Sequence, residues 1–231
     1  MEASRLPAAV LAAASDRRGG AMEVAATALD GLLAVAADPP LLQKAVTVLL
    51  AGQPAMAPIW HLARAARSPD PPSALAALRR AFHTDAEAAV AAAVSWLLDQ
   101  LADHPGAVAS VSHSSLVDRV LTQLGPAPPG GPRQAPGALS TAPVVGVVGA
   151  DAIGPGGLLN AAGTRELAAR VPTLVVATEV KLVPGEVFGR LGGAGFELVP
   201  LEAVAAVVVG SEVLSPAEAG RRAEGISRGR L

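Results

Sequence analysis

Apolar residues recur at the spacing of a helix through the first part of the chain, over residues 22–37, 41–50 and 58–66, with Pro39-Pro40 and Pro54 as breaks. Thr84-Asp85-Ala86-Glu87 has the form of a capping box, which predicts a helix start there and roughly five turns to about Ala102. Val90, Val94, Trp96, Leu97 and Leu101 form its core-facing stripe. After His104-Pro105-Gly106 the period changes. Residues 107–111 read as a short strand, and a helix follows to about Leu124. Residues 125–142 are a Pro/Gly-rich linker without regular structure. Beyond it come three apolar, β-branched runs at 144–148, 172–177 and 204–209, each short enough to be a strand buried on both faces of a parallel sheet. Ser215-Pro216, with Glu218 three positions after the serine, starts a last helix. The expected organisation is an all-helical domain over residues 1–105 and an α/β domain with a mostly parallel sheet over 106–231.

Polar residues gather at the predicted strand ends. Asp151 follows the first of the three runs, at the C-terminal sheet edge where open α/β folds bind ligands. Gly154-Pro155-Gly156-Gly157 makes a tight turn, and Asn160 is read as the N-cap of a helix to about Arg170. The second run returns parallel through a crossover, and Lys181 follows its end. Ser112, His113, Ser114 and Ser115 open the helix after the first short strand, where hydroxyls and N–H groups suit a phosphate oxygen. Ser112 or Ser114 could equally serve only as that helix's cap. These residues are expected to meet at one mouth, with Lys181 as a point charge for a phosphate, Asn160 fixing the loop and Asp151 accepting from a sugar hydroxyl. The alternative is that Asp151 and Lys181 form only a structural ion pair.

Composition narrows the function. The net charge is −2 and aromatics are 2% of residues, so neither the electrostatic footprint nor the stacking surface of a nucleic-acid binder is present. Half the residues are apolar, yet Asp, Arg, Glu and Pro break every alanine-rich stretch before it reaches membrane-spanning length. A soluble cytoplasmic protein is expected. The chain has no cysteine, hence no disulfide and no thiolate nucleophile, and its four histidines are too scattered for a metal site.

Gly149-Ala150-Asp151-Ala152-Ile153, then Asn160 with Gly163-Thr164, then Pro172, a strand and Lys181, resemble the signature of the initiation factor 2B alpha/beta/delta family. That family also contains ribose-1,5-bisphosphate isomerase and methylthioribose-1-phosphate isomerase. The resemblance runs from about residue 16 to 220. It implies a Rossmann-like second domain, dimerisation through that domain, and a phosphorylated small molecule as ligand, with no cofactor. In a narrowed sheet the Val207–Val209 run is expected to add apolar surface to the dimer contact. The resemblance also draws in Arg18, Gly19 and Gly20 as a phosphate-binding turn, although an exposed arginine needs no such role. Gln53 stands where the family has arginine and His61 where it has asparagine, which removes one positive charge. The 125–142 linker replaces a strand–helix unit, so the sheet is expected to be narrower by one.

The isomerases pair an aspartate with a cysteine, and only the aspartate has a counterpart, Asp151. A missing general acid lowers a rate by about 100- to 10,000-fold. The expected function is therefore a binder of a phosphorylated sugar or nucleotide with a regulatory or assembly role. An active aldose–ketose isomerase, with Ser114 or His113 as acid, and a pure dimerisation module are the other readings.

Overall fold

The computed structural model describes residues 5–103, 106–111, 114–125 and 143–226. Ser112, His113 and nearly all of the linker lie outside them.

Helix α1 (Ala8–Ser15), α2 (Ala21–Ala34), α3 (Pro39–Gly52) and α4 (Ala57–Ala66) pack around Leu29, Leu32, Leu49 and Leu62. Their starts follow local chemistry. Asp38 accepts a 3.1 Å hydrogen bond from the Leu41 N–H, and Pro39-Pro40 occupy the first helical positions, where a missing N–H is harmless. Small residues let the helices approach closely. A Cβ on Gly31 would lie 2.6 Å from a methyl of Val10, and one on Gly52 would lie 2.4 Å from the Ala14 carbonyl oxygen.

Helix α5 (Pro71–Asp103) is 33 residues long and contains the expected capping box in its interior. No helix starts at Thr84; its hydroxyl donates back to the Arg80 carbonyl at 2.8 Å, as mid-helix threonines do. The apolar stripes before and after the box are in phase, so the helix runs through it. Leu75 and Phe82 belong to the helical core, whereas Ala89, Val90, Ala93 and Leu97 face the sheet.

The sheet begins with β1 (Ala107–Ala109), followed by α6 (Ser115–Gln123) and β2 (Pro143–Val148). Then come the hairpin β3 (Ala152–Gly154) and β4 (Gly157–Ala161), α7 (Thr164–Arg170) and β5 (Thr173–Ala177). A short α8 (Gly185–Phe188), β6 (Phe196–Pro200), β7 (Ala206–Val209), β8 (Glu212–Leu214) and α9 (Pro216–Glu224) complete the order. The main sheet has the order β1-β2-β5-β7-β8, parallel except for β8, so the α/β class with a mostly parallel sheet is what the chain adopts. Alternate residues face opposite layers. Val145, Val147, Leu174, Val176 and Val208 pack on α5 and α6, while Val148, Val175, Val207 and Val209 pack with Leu167, Ala219 and Ala223. The Val207–Val209 run is therefore no dimer surface, because α5 and α9 bury it within the chain.

A second, antiparallel sheet of order β3-β4-β6 stands beside the first. It corrects the reading of Asn160, which lies within β4 and does not cap a helix; α7 starts after Gly163, whose φ of +99° suits only glycine. The apolar pair Leu158 and Leu159 is too short a signal to mark this strand among the surrounding glycines. Ser215 caps α9 as expected, its hydroxyl accepting from the Glu218 N–H while the Glu218 carboxylate takes the Ser215 N–H.

Candidate ligand-binding site

A cavity of about 570 Å³ opens between the helical layer and the sheet edge. Its lining includes Arg18, Gly19, Gly20, Ser114, Ser115, Asp151, Asn160 and Lys181, so the candidates that fall on described residues share one space. Ser112 and His113 lie outside the described residues.

Asp151 and Lys181 arrive by register. Ile153 of β3 bridges Leu182 in parallel, and the Val183 N–H donates to the Ile153 carbonyl at 2.9 Å, which sets Lys181, one residue before its bridge partner, near Asp151, two residues before the other, and each acts electrostatically on the other. Helix α4 grips both. The Ala57 N–H donates to the Asp151 carbonyl at 3.0 Å, and one turn later His61 Nε2 lies 2.8 Å from the Leu182 carbonyl.

Lys181 ends a 3-10 turn, Glu179–Lys181, that is fastened from several sides. Thr178 donates to the Met22 sulfur of α2, the Glu179 N–H meets the Asp85 carboxylate of α5, and the Glu179 carboxylate pairs with Arg222 of α9. Val180 inserts into the helical core. The lysine is 4% exposed. Among the described residues it forms no ion pair within 4.0 Å, with Asp151 or any other carboxylate, and no side-chain hydrogen bond. Burial pushes its ammonium down to about 8, against the opposing pull of Asp151. The same burial raises the Asp151 carboxyl, with Lys181 lowering it in part. Both groups are thus biased towards their neutral forms.

Across the cavity the turn at 16–20 is self-contained. Asp16 Oδ1 accepts from the Arg18 and Gly19 N–H groups at 2.8 and 2.9 Å, and these bonds hold its carboxyl below the usual range. Those two N–H groups are therefore occupied, and what the turn offers an anion is the exposed Arg18 guanidinium and the first turn of α2. Gln53, at a position expected only to have lost a charge, is 5% exposed and holds this turn. Its Nε2 donates to the Ala13 and Asp16 carbonyls at 2.6 and 2.7 Å. The resemblance marks Gln53 as a departure from arginine, while its tether depends on the fold that brings Ala13 and Asp16 to it. The start of α6 is the second helix terminus at the cavity, and the Ser114 side chain makes no capping hydrogen bond there. Asn160 is 4% exposed and donates from Nδ2 to Thr164 Oγ1 at 2.9 Å, with Thr164 passing the chain of bonds to the Ala161 carbonyl. Met22, Met56, Phe196 and several alanines supply the apolar part of the wall.

Among the described residues no cluster of histidine, aspartate and glutamate could hold a metal ion, and no helix is long and apolar enough to cross a membrane.

No family model matches the chain, and no curated protein matches its sequence. Solved structures do. The translation initiation factor eIF-2B of Pyrococcus horikoshii OT3 superposes with a TM-score of 0.66 at 18% identity, over 92% of this chain and 99% of its own. The tetrameric eIF2B-beta2-delta2 complex of C. thermophilum gives 0.64 at 16% identity, over 92% of this chain and 91% of that one. The 5-methylthioribose 1-phosphate isomerase of P. horikoshii OT3 gives 0.55 at 13% identity, over 95% and 87%. The chain has the fold shared by these initiation-factor subunits and this isomerase.

Proposed function

We propose that the chain binds a phosphorylated sugar or nucleotide in the cavity above Lys181, in a regulatory or assembly role. The observation that carries this reading is Lys181 itself: a buried cation with no carboxylate within ion-pair distance among the described residues, kept beside an anion-friendly opening where two helices begin. An unpaired buried charge is costly, and proteins retain such groups where a ligand completes them. Arg18 and the starts of α2 and α6 flank the anion, Lys181 draws it inward, and Asp151 meets a hydroxyl. The cavity falls in the size range of small-molecule sites, roughly 300–1,000 Å³. The isomerase with this fold is named for a sugar phosphate, which supports the ligand class. The absence of cysteine supports binding over the catalysis of the related isomerases.

The test is thermal shift with inorganic phosphate, ribose phosphates and nucleoside monophosphates. At ten times Kd a ligand of the folded state stabilises it by about 1.4 kcal/mol. No shift with any of them overturns the reading. Product formation from an aldose 1-phosphate would replace it with an active isomerase. Self-association is proposed as well, since one structure with this fold is a tetrameric complex. A monomer by sedimentation at micromolar concentration would end that part.

A further inference from the structure

The phosphate reading uses the charge of Lys181 and leaves its lone pair unused. Resting on that reading, we propose that Lys181 is also an amine nucleophile, which condenses reversibly with the carbonyl carbon of a small phosphorylated aldehyde held in the cavity, with Asp151 carrying the protons.

The geometry is that of an enclosed, uncommitted amine. Lys181 lines the cavity, is 4% exposed and has no hydrogen bond or ion pair among the described residues, so nothing has to be broken before it reacts. The fastened turn from Thr178 to Leu182 fixes its backbone. Asp151, two residues before Ile153 in the Ile153–Leu182 bridge, lines the same cavity and acts electrostatically on the lysine, with a carboxyl also free of side-chain bonds among the described residues. Met22, Met56 and Phe196 contribute apolar wall to the same cavity, and the lysine itself is buried. The other charged groups nearby are otherwise engaged. Asp16 holds its own turn, Arg17 donates to the Ala14 and Asp16 carbonyls, and Glu179 is tied to Arg222. His61 faces the Leu182 carbonyl and stays neutral near pH 7. The charged fraction of Lys181 draws the anion inward as before, and once the phosphate of an aldehyde rests against Arg18 and the helix starts, the neutral fraction of the lysine faces the carbonyl end.

The chemistry balances without an added oxidant or reductant. The neutral Nζ lone pair adds to the carbonyl carbon, a C–N bond forms, and the C=O π bond breaks as the Asp151 carboxyl protonates the oxygen. The ammonium proton then returns to the carboxylate, giving a carbinolamine. A second transfer of that proton expels water and leaves a C=N bond. Burial favours the starting states for both partners, a deprotonated amine and a protonated carboxyl.

The chain has only two lysines, Lys44 and Lys181, and Lys44 is exposed, so it is an internal reference. The full chain is incubated with pyridoxal 5′-phosphate or glyceraldehyde 3-phosphate, reduced with borohydride, digested and mapped by mass spectrometry. The expected result is labelling of Lys181 at least about tenfold above Lys44, suppressed by inorganic phosphate, with a rate that rises as pH passes through about 8. The Asp151→Asn variant should label about 100-fold more slowly or worse. Equal labelling of the two lysines, or none at Lys181, overturns the proposal, as does an Asp151→Asn rate equal to wild type. Thermal shift of the untreated chain with phosphate separates the two readings. A shift without trapping sinks the nucleophile and spares the phosphate site, whereas trapping without a shift supports the nucleophile and sinks the phosphate seat.

Discussion

His61 Nε2 lies 2.8 Å from the carbonyl oxygen of Leu182, so a buried helix side chain holds the residue next to Lys181. Burial drives the His61 imidazole down to about 4. The unfolded chain takes up this proton near pH 6.5, the folded chain only near 4, so stability is full above 6.5 and is lost as pH falls through that window. A gap of this size corresponds to about 3 kcal/mol. His61→Gln should therefore flatten the acid side of the stability–pH curve while costing some stability at pH 7. Urea titrations at pH 7 and 4.5 give the comparison, and an unchanged acid slope would refute it.

Gln53→Leu removes both donors to the Ala13 and Asp16 carbonyls and should destabilise the fold by about 1–3 kcal/mol. The turn that carries Arg18 should loosen with it. Phosphate-induced thermal shift should fall by more than an equally destabilising core substitution makes it fall; equal losses would mean that the tether serves stability alone.

Lys181→Met removes a charge that burial disfavours and replaces it with an apolar chain of similar length. The melting temperature at pH 7 should hold or rise while the response to phosphate ligands is lost. The wild-type lysine is pushed down to about 8, so the unfolded chain binds more protons between that value and 10.5, and wild-type stability climbs with pH there. The gap between variant and wild type should close towards pH 10. A melting temperature that drops at pH 7 would show that the lysine is structural.

Gly52→Ala should cost about 1–3 kcal/mol, because its Cβ would sit 2.4 Å from the Ala14 carbonyl oxygen, a backbone atom that cannot swing aside. Gly156→Ala is the control, with nothing within 4 Å of the added carbon. Equal melting temperatures for the two variants would contradict the close packing of α1 on α3.

Much of this arrangement was legible in the residues. The Val-rich runs at β2, β5 and β7 announce buried parallel strands, and Ser215 with Glu218 announces α9. The placements of Asp151 and Lys181 at strand ends follow from those runs. What stayed hidden depended on contacts distant in the chain. The Thr84 capping box is genuine chemistry overruled by continuous packing of α5 on two cores. Asn160 looks like a cap until β6 arrives, nearly forty residues later, to pair with β4. Gln53 reads as a lost charge because its two acceptors, Ala13 and Asp16, lie in another helix and its following turn.

The 3-10 turn beneath Lys181 takes one attachment each from α2, α4, α5 and α9. Inheritance of the site is thereby bound to inheritance of the whole scaffold. A recombinant that exchanged any one of those helices with a distant homologue would disturb the seat of the lysine together with the core that helix helps to form. Engineering that begins by grafting the cavity onto another sheet would have to carry four helices with it.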